Sequence, residues 1–152
     1  MRRRLRRRTP IRPEFLAREP LLDRAHKRAT VLVVDDSLDV RELLQESFSQ
    51  EKNVLTAKDC DSAIEVMRDV HVDLVVSDLR MVGRHGGLRL LDWVKKNRPD
   101  AGFILMSGDL EESERSEAIR LGADRILKKP WAPEEFRRTV SDVLEHTPQC
   151  GR

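Results

Sequence analysis

The sequence contains no tyrosine, and aromatic residues make up only 4% of its 152 residues. A hydrophobic core formed by this chain must therefore consist mostly of Val, Leu, Ile and Ala. The only two cysteines, Cys60 and Cys150, lie far apart and lack the paired spacing of a zinc site or a disulfide framework. Two reduced thiols in a cytoplasmic protein are the simpler interpretation, so we expect a cytoplasmic location.

Long apolar runs are also missing. No stretch approaches the ~18 apolar residues of a membrane-spanning helix, and the basic N-terminus is not followed by the apolar segment of a signal peptide. We therefore expect no membrane span and no secretion signal. The length fits a single domain, because domains most often hold roughly 100 to 150 residues.

The net charge of +2 conceals a division along the chain. Residues 1–29 hold eleven Lys and Arg against three acids, whereas residues 30–152 hold 18 basic and 24 acidic residues. Three prolines interrupt the basic segment, so we predict a disordered N-terminal extension over 1–29. An arginine cluster can also bind nucleic acid, but a solvated arm is the simpler interpretation and nucleic-acid binding is kept only as an alternative.

From Thr30 onward, short apolar runs alternate with amphipathic segments of helical spacing. Unbroken apolar runs of this length are typical of strands buried on both faces of a parallel sheet. The order predicts an α/β fold, a doubly wound five-stranded parallel sheet with five helices, over residues 30–146. A short tail, 147–152, follows. The predicted strands are Val31–Val34, Val54–Thr56, Leu74–Val76, Phe103–Met106 and Ile126–Leu127.

The fourth predicted helix is poor in apolar residues. Its first two turns, Glu111–Glu117, contain no large apolar side chain, and only Ala118, Ile119 and Leu121 are available to anchor it. We expect this helix to be loosely held and able to move.

Polar side chains follow four of the five predicted strands. Asp35 and Asp36 follow the first strand, Asp78 the third, Ser107 the fourth and Lys129 the fifth. The second strand delivers no reactive group. If that strand lies at the edge, in the order 2-1-3-4-5, all of these side chains meet in one crevice at the carboxyl ends of the strands, where doubly wound folds bind ligands.

Three carboxylates in one crevice need a cation or a raised pKa. Neighbouring carboxylates repel by roughly 1 to 4 kcal/mol per pair at about 4 Å, and a site made only of oxygen ligands favours Mg²⁺. The Lys129 ammonium would balance part of the remaining charge and suits contact with a phosphoryl group. Each residue alone has a simpler explanation, as a helix cap, a turn residue or a solvated lysine. Their coincidence at four strand ends favours a shared site.

The chain from Thr30 to about His146 resembles the receiver domain of bacterial two-component response regulators, a flavodoxin-like fold that includes the chemotaxis regulators. Four segments carry the resemblance, one at each reactive strand end: VLVVDDS, VVSDLRM, LMSGD and LKKPW. The resemblance covers nearly the whole domain, and the four motifs together are highly specific.

The resemblance implies a role for each residue at the strand ends. Asp78 would accept a phosphoryl group, and Lys129, which directly precedes the proline, would contact it. Ser107 would be the switch hydroxyl. Asp36 would bind Mg²⁺ directly, Asp35 would assist, and Asp78 and the Arg80 backbone carbonyl would complete the protein ligands. The Lys129–Pro130 peptide bond would be cis.

The resemblance also implies partners. The phosphoryl donor would be a sensor histidine kinase or a histidine phosphotransfer protein, and no enzyme activity is expected beyond self-catalysed phosphotransfer and autodephosphorylation. Because only six residues follow His146, we expect a stand-alone receiver. It would signal through a downstream protein docked on the fourth helix, fifth strand and fifth helix, or would pass the phosphoryl group on.

The sequence departs from the family pattern in two places. Val82 replaces a proline that usually follows the acceptor aspartate by four residues, and the segment MVGRHGGL carries one extra residue before Leu88. Ile126 stands where the family often has a switch aromatic, so any signal must travel through Ser107 and helix movement.

Two other functions remain open at this point. A Mg²⁺-dependent phosphohydrolase of the haloacid dehalogenase type also forms an aspartyl phosphate, but its nucleophile follows the first strand in a D-x-D arrangement. A receiver-like interaction module that is never phosphorylated in the cell is the other alternative.

Overall fold

The computed structural model describes residues 28–81 and 86–147. The predicted N-terminal extension lies outside the described residues except for Arg28 and Ala29, and the predicted tail does so except for Thr147. The Arg28 guanidinium donates to the Ser49 carbonyl, and the Asn53 amide donates to the Ala29 carbonyl. These two residues therefore contact the domain just before its first strand.

Five strands and five helices alternate along the described residues. The elements are β1 (Thr30–Val34), α1 (Leu38–Phe48), β2 (Asn53–Ala57), α2 (Cys60–Asp69), β3 (Leu74–Asp78), α3 (Gly86–Asn97), β4 (Gly102–Ser107), α4 (Glu112–Leu121), β5 (Arg125–Lys128) and α5 (Pro133–His146). All strands pair in parallel in the order β2-β1-β3-β4-β5. The predicted fold class and strand order are confirmed.

Helices cover both faces of the sheet. The helices α1 and α5 pack on one face, where Phe48, Phe136 and Val140 contact β-strand residues such as Val33 and Ile104. The helices α2, α3 and α4 pack on the other. Alternate residues of each strand serve the two faces, so the central strands β3 and β4 are buried at every position, which explains their unbroken apolar runs.

Local sequence signals explain where the helices begin and end. The Ser37 hydroxyl accepts a hydrogen bond from the Val40 amide at 3.3 Å and caps α1. Gly122 ends α4 at φ 102°, a left-handed conformation that glycine adopts without strain. Pro133 occupies the first turn of α5. Ser37 and Pro133 therefore begin helices at the carboxyl ends of the strands, whereas Gly122 ends α4 at the opposite edge of the sheet.

The anchoring of α4 differs from the prediction. Ala118 is fully buried, but Ile119 is 61% exposed and contributes little to the core. The first turn is held instead by a charged residue, Glu114, which is buried and bonded to Arg80. Expecting Ile119 to serve as an anchor was therefore wrong. The sequence pattern counted only apolar residues as anchors, and hydropathy cannot show that the Glu114 carboxylate is buried with an arginine partner.

Gly87 lets α3 approach the end of β3. A β-carbon at this position would lie 2.4 Å from the Asp78 carbonyl oxygen and 2.7 Å from the Leu79 α-carbon. The Gly87 amide also donates to the Leu79 carbonyl at 3.0 Å. At the neighbouring Gly86 the nearest atoms are 3.4 Å away. Of Gly86 and Gly87, only Gly87 is required by close backbone packing.

An aromatic cluster fills the space between α1 and α5. Phe136 contacts Phe48 and Trp131 edge to face, each pair with ring centroids 5.4 Å apart. Trp131 therefore packs at the start of α5, directly beyond Pro130. In the part of the chain that the structure describes, no helix has both the length and the apolarity needed to cross a bilayer.

Candidate functional site

The carboxyl ends of β1, β3, β4 and β5 carry the polar side chains singled out above. Asp35 and Asp36 follow β1, Asp78 is the last residue of β3, Ser107 is the last residue of β4, and Lys129 follows β5. Because the strands are parallel, these ends lie along one edge of the sheet. The β2 strand lies outside this group, at the edge of the sheet.

The structure brings three carboxylates together. One oxygen from each of Asp35, Asp36 and Asp78 can be chosen so that all three lie within 4.8 Å of one another. Asp35 is buried at 1% exposure and Asp78 at 9%, whereas Asp36 is exposed. The cluster therefore has an open side toward solvent at Asp36 and a buried floor at Asp35.

The Lys129 ammonium joins two of these carboxylates. Its Nζ lies 3.1 Å from Asp35 Oδ2 and 3.3 Å from Asp78 Oδ1. Burial by itself would lower the pKa of Lys129, but attraction to Asp35 and Asp78 outweighs burial and raises that pKa above its ordinary value. Lys129 is therefore a fixed positive charge at the site. The neighbouring Lys128 is exposed, and the Lys129–Pro130 bond is cis, as predicted.

Backbone contacts fix the position of Asp35. Its amide donates to the Ala57 carbonyl at 3.1 Å, and its carbonyl accepts from Arg41 Nη1 at 2.7 Å. Its Oδ1 atom accepts from the Ser37 amide at 2.9 Å, while the other oxygen faces Lys129. A buried carboxylate held on both oxygens is a preorganised part of the site.

Asp78 is held in a less favourable environment. Burial raises the pKa of its carboxyl above the ordinary value, opposed by the charge of Lys129 and reinforced by the nearby Asp35 and Asp36 carboxylates. The ionised form of Asp78 is therefore under electrostatic strain, which a cation or another positively charged group would relieve.

Ser107 lies one residue beyond the position paired with Asp78. In the sheet register Asp78 pairs with Met106, and Ser107 pairs with Lys128. The hydroxyl is buried at 3% exposure and accepts a hydrogen bond from the Asp109 amide at 3.2 Å. Its backbone carbonyl accepts from the Lys129 amide at 2.9 Å. Ser107 therefore belongs to the same edge as Asp78 and Lys129, at the start of the loop that leads to α4.

The side chain of Arg80 leads away from the carboxylates, toward α4. Its guanidinium binds Glu114 through the two terminal nitrogens, Nη1 and Nη2, and Nη2 also donates to the Asp109 carbonyl. The family resemblance implied a role only for the backbone carbonyl of Arg80, and none of the four motifs includes Glu114. The available signal was its place three residues after the N-cap Glu111, where a glutamate often reaches back to the backbone, as its 3.0 Å bond to the Glu111 amide shows.

The donor set fits a hard divalent cation. Asp35, Asp36 and Asp78 offer carboxylate oxygens, the ligands that Mg²⁺ prefers, and the single Lys129 ammonium leaves the cluster with excess negative charge. The exposed side at Asp36 leaves room for the water ligands that Mg²⁺ retains.

Comparison with known proteins identifies the family to which this site belongs. The family model described as the response regulator receiver domain matches residues 31–141, which include every residue of the site. The chain belongs to the response regulator receiver domain family. The four motifs quoted above lie at the strand ends where this receiver carries its polar side chains.

Individual relatives agree with this assignment. The regulatory protein VirG of Rhizobium rhizogenes is 32% identical over 124 residues, covering 80% of this chain and 51% of that protein. The solved signal receiver domain of an HD domain-containing protein from Pseudomonas fluorescens Pf-5 is 29% identical, with a TM-score of 0.75, over 79% of this chain and 97% of that one.

A second solved structure, the non-phosphorylated HemR receiver domain from Leptospira biflexa, is 28% identical, with a TM-score of 0.74, over 80% of this chain and 98% of that one. The chain spans about half the length, or less, of the first curated relatives that it matches. The shared part is therefore the receiver, and activities of those longer proteins are not carried over with it.

Proposed function

We propose that this receiver accepts a phosphoryl group on Asp78 from a sensor histidine kinase or a histidine phosphotransfer protein, in the cytoplasm, and that Mg²⁺ is required. The observation that carries the proposal is the position of Lys129 Nζ, 3.3 Å from Asp78 and 3.1 Å from Asp35, beside a three-carboxylate cluster. A fixed ammonium next to a strained carboxylate suits the transfer of a negatively charged group to that carboxylate.

The residues divide the chemistry among them. An Asp78 oxygen attacks phosphorus, the bond from phosphorus to the donor imidazole nitrogen breaks, and an acyl phosphate forms. Bound Mg²⁺, held by Asp35, Asp36, Asp78 and the Arg80 carbonyl, would supply positive charge near the phosphoryl oxygens. Lys129 contributes a second positive charge from the carboxyl end of β5. Attack by water on the acyl phosphate later releases inorganic phosphate and restores the Asp78 carboxylate.

Ser107 connects this chemistry to the protein surface. Its hydroxyl is next to the site but accepts a hydrogen bond from the Asp109 amide in the present arrangement. A phosphoryl group on Asp78 would offer the Ser107 hydroxyl strong acceptor oxygens. Engaging them would draw the loop after β4 inward and move the start of α4. Phosphoryl transfer to Asp78 would in this way change the shape of the surface around α4.

The surface that changes is exposed and partly apolar. Ile119 on α4 is 61% exposed, and Leu110 and Ile126 line the groove between the loop after β4 and β5. We propose that a downstream protein docks on α4, β5 and α5, or that the receiver passes its phosphoryl group to another protein. An exposed apolar residue next to a movable loop supports docking.

The proposal is tested by incubating the protein with acetyl phosphate and Mg²⁺ and measuring its intact mass. Wild type should gain one phosphoryl group, Asp78→Ala should gain none, and chelation of Mg²⁺ should prevent the gain. Asp92→Ala, a partly exposed aspartate on α3, is the matched control and should be labelled like wild type. Absence of an adduct on wild type, or an adduct that survives Asp78→Ala, would overturn the proposal.

A further inference from the structure

A single side chain connects three segments around the site. Arg80 Nη1 and Nη2 lie 2.9 and 2.8 Å from the two carboxylate oxygens of Glu114, and Nη2 lies 2.9 Å from the Asp109 carbonyl oxygen. Arg80 follows Asp78 by two residues, Asp109 follows Ser107 by two residues, and Glu114 is in the first turn of α4. We call Arg80, Glu114 and the Asp109 carbonyl the latch.

The latch is a strong contact for physical reasons. The planar guanidinium of Arg80 matches the carboxylate through two parallel hydrogen bonds, the strongest geometry for such a pair. The Glu114 side chain is only 6% exposed, whereas that of Arg80 is 41% exposed. Hydrogen bonding to Glu114 raises the pKa of Arg80. A buried carboxylate that lost this partner would remain desolvated, so the contact is costly to break from the Glu114 side.

The latch resists the movement that the proposed switch requires. The Asp109 carbonyl is bound to Arg80, and the Asp109 amide is bound to the Ser107 hydroxyl. Moving this loop toward a phosphoryl group on Asp78 would require the bond between Arg80 and the Asp109 carbonyl to break or shift. Glu114 also accepts from the Glu111 amide at 3.0 Å. The loop after β4 and the start of α4 are therefore held as one unit.

We propose that the latch holds the unmodified arrangement of the receiver, so that Arg80 and Glu114 are positioning residues that set the free energy of switching. This inference rests on the proposed phosphorylation of Asp78. A contact that stabilises only the unmodified arrangement opposes any ligand that favours the other one. Weakening the latch should therefore strengthen binding of a phosphoryl analogue at Asp78.

The test is a titration of wild type and Glu114→Gln with beryllofluoride, a stable analogue of the phosphoryl group on a carboxylate, at fixed Mg²⁺. Glu114→Gln removes the buried charge while keeping the size of the side chain. We expect its half-saturation concentration to fall by about fivefold or more, the low end of typical coupling between sites. Calorimetry measures this binding without any assay of activity.

Two further variants separate a latch from a merely structural contact. Glu117→Gln changes a partly exposed glutamate on the same helix that pairs with Arg120, and it should titrate like wild type. Arg80→Lys keeps a positive charge but loses the two-pronged contact, and it should shift in the same direction as Glu114→Gln by a smaller factor. Hydrogen exchange of residues 108–121 without ligand should be faster in Glu114→Gln than in wild type.

The outcomes are distinguishable. If wild type is labelled and binds beryllofluoride with the same half-saturation as Glu114→Gln, or more tightly, the latch is overturned and the phosphorylation proposal stands. If wild type binds no beryllofluoride and takes no label from acetyl phosphate, the proposed function fails and the latch fails with it.

Discussion

Asp78 is a carboxylate whose burial costs the metal-free protein stability. The pKa of this carboxyl is raised in the folded protein, chiefly by burial. The protonated form therefore contributes to the stability of the fold, and this contribution is complete below the ordinary pKa of 3.8. It is lost as the pH rises through the higher pKa of the folded state. At neutral pH, ionised Asp78 therefore lowers the free energy of unfolding.

We expect Asp78→Asn to stabilise the metal-free protein at pH 7 because it removes a buried charge beside two other carboxylates. The gain should be about 1 kcal/mol, the size of one close pair of like charges in water, and should shrink as the pH falls toward the ordinary pKa of aspartate. Urea unfolding in the presence of a chelator measures it. Asp100→Asn, at an exposed aspartate after α3, is the control. A loss of stability in Asp78→Asn at pH 7 would show that the ionised Asp78 carboxylate does not destabilise the metal-free protein.

Most residues of the site could be predicted from the sequence because they come at the ends of apolar strands. Asp35, Asp36, Asp78, Ser107 and Lys129 each occupy a strand end, and parallel strands bring such ends together. The pairing of Glu114 with Arg80 was not readable, since the two residues are 34 positions apart and nothing local to α4 shows that the Glu114 carboxylate is buried. Long-range ion pairs depend on the relative placement of elements, which a pattern of spacing does not contain.

Among the elements, α3 touches the backbone at the end of β3 through its first turn. Gly87 lies against the backbone of Asp78 and Leu79, and backbone atoms cannot move aside as the end of a flexible side chain can. The sequence indicated an extra residue in the segment MVGRHGGL, but it could not show which glycine of the pair contacts β3. That distinction depends on the rotation of α3 about its axis.

Substitutions at the two glycines should therefore differ sharply. Gly87→Ala should destabilise the protein by about 1 to 3 kcal/mol, the usual cost of overpacking, and should lower labelling of Asp78 because the strain falls on its own carbonyl. Gly86→Ala, with its nearest neighbours at 3.4 Å, should change stability by less than about 0.5 kcal/mol. Chemical denaturation of both variants measures the difference, and equal losses would show that Gly87 is not the packed residue.

In the molecule as a whole, metal binding and folding should be linked. The three carboxylates come from β1 and β3, which adjoin only in the folded sheet, so the unfolded chain has no comparable site. A ligand that binds only the folded state raises its stability with concentration.

We expect Mg²⁺ to raise the free energy of unfolding by about 1.4 kcal/mol when its free concentration is tenfold above the dissociation constant. Asp36→Ala should abolish this increase, because Asp36 is exposed and its removal leaves the core intact. Asp39→Ala, at an exposed aspartate in the first turn of α1, should retain it. Thermal melts at constant ionic strength measure the effect. An increase that persists in Asp36→Ala would place the metal elsewhere.

The two tryptophans give the unaltered chain a built-in optical readout. Because tyrosine is absent, near-ultraviolet emission comes from two indoles. Trp131, two residues after Lys129, packs against the layer formed by α1 and α5, while Trp93 packs against the opposite layer. Each face of the sheet thus carries one tryptophan. Replacing either tryptophan by phenylalanine leaves a protein whose fluorescence reports on one face of the sheet alone, without an attached dye.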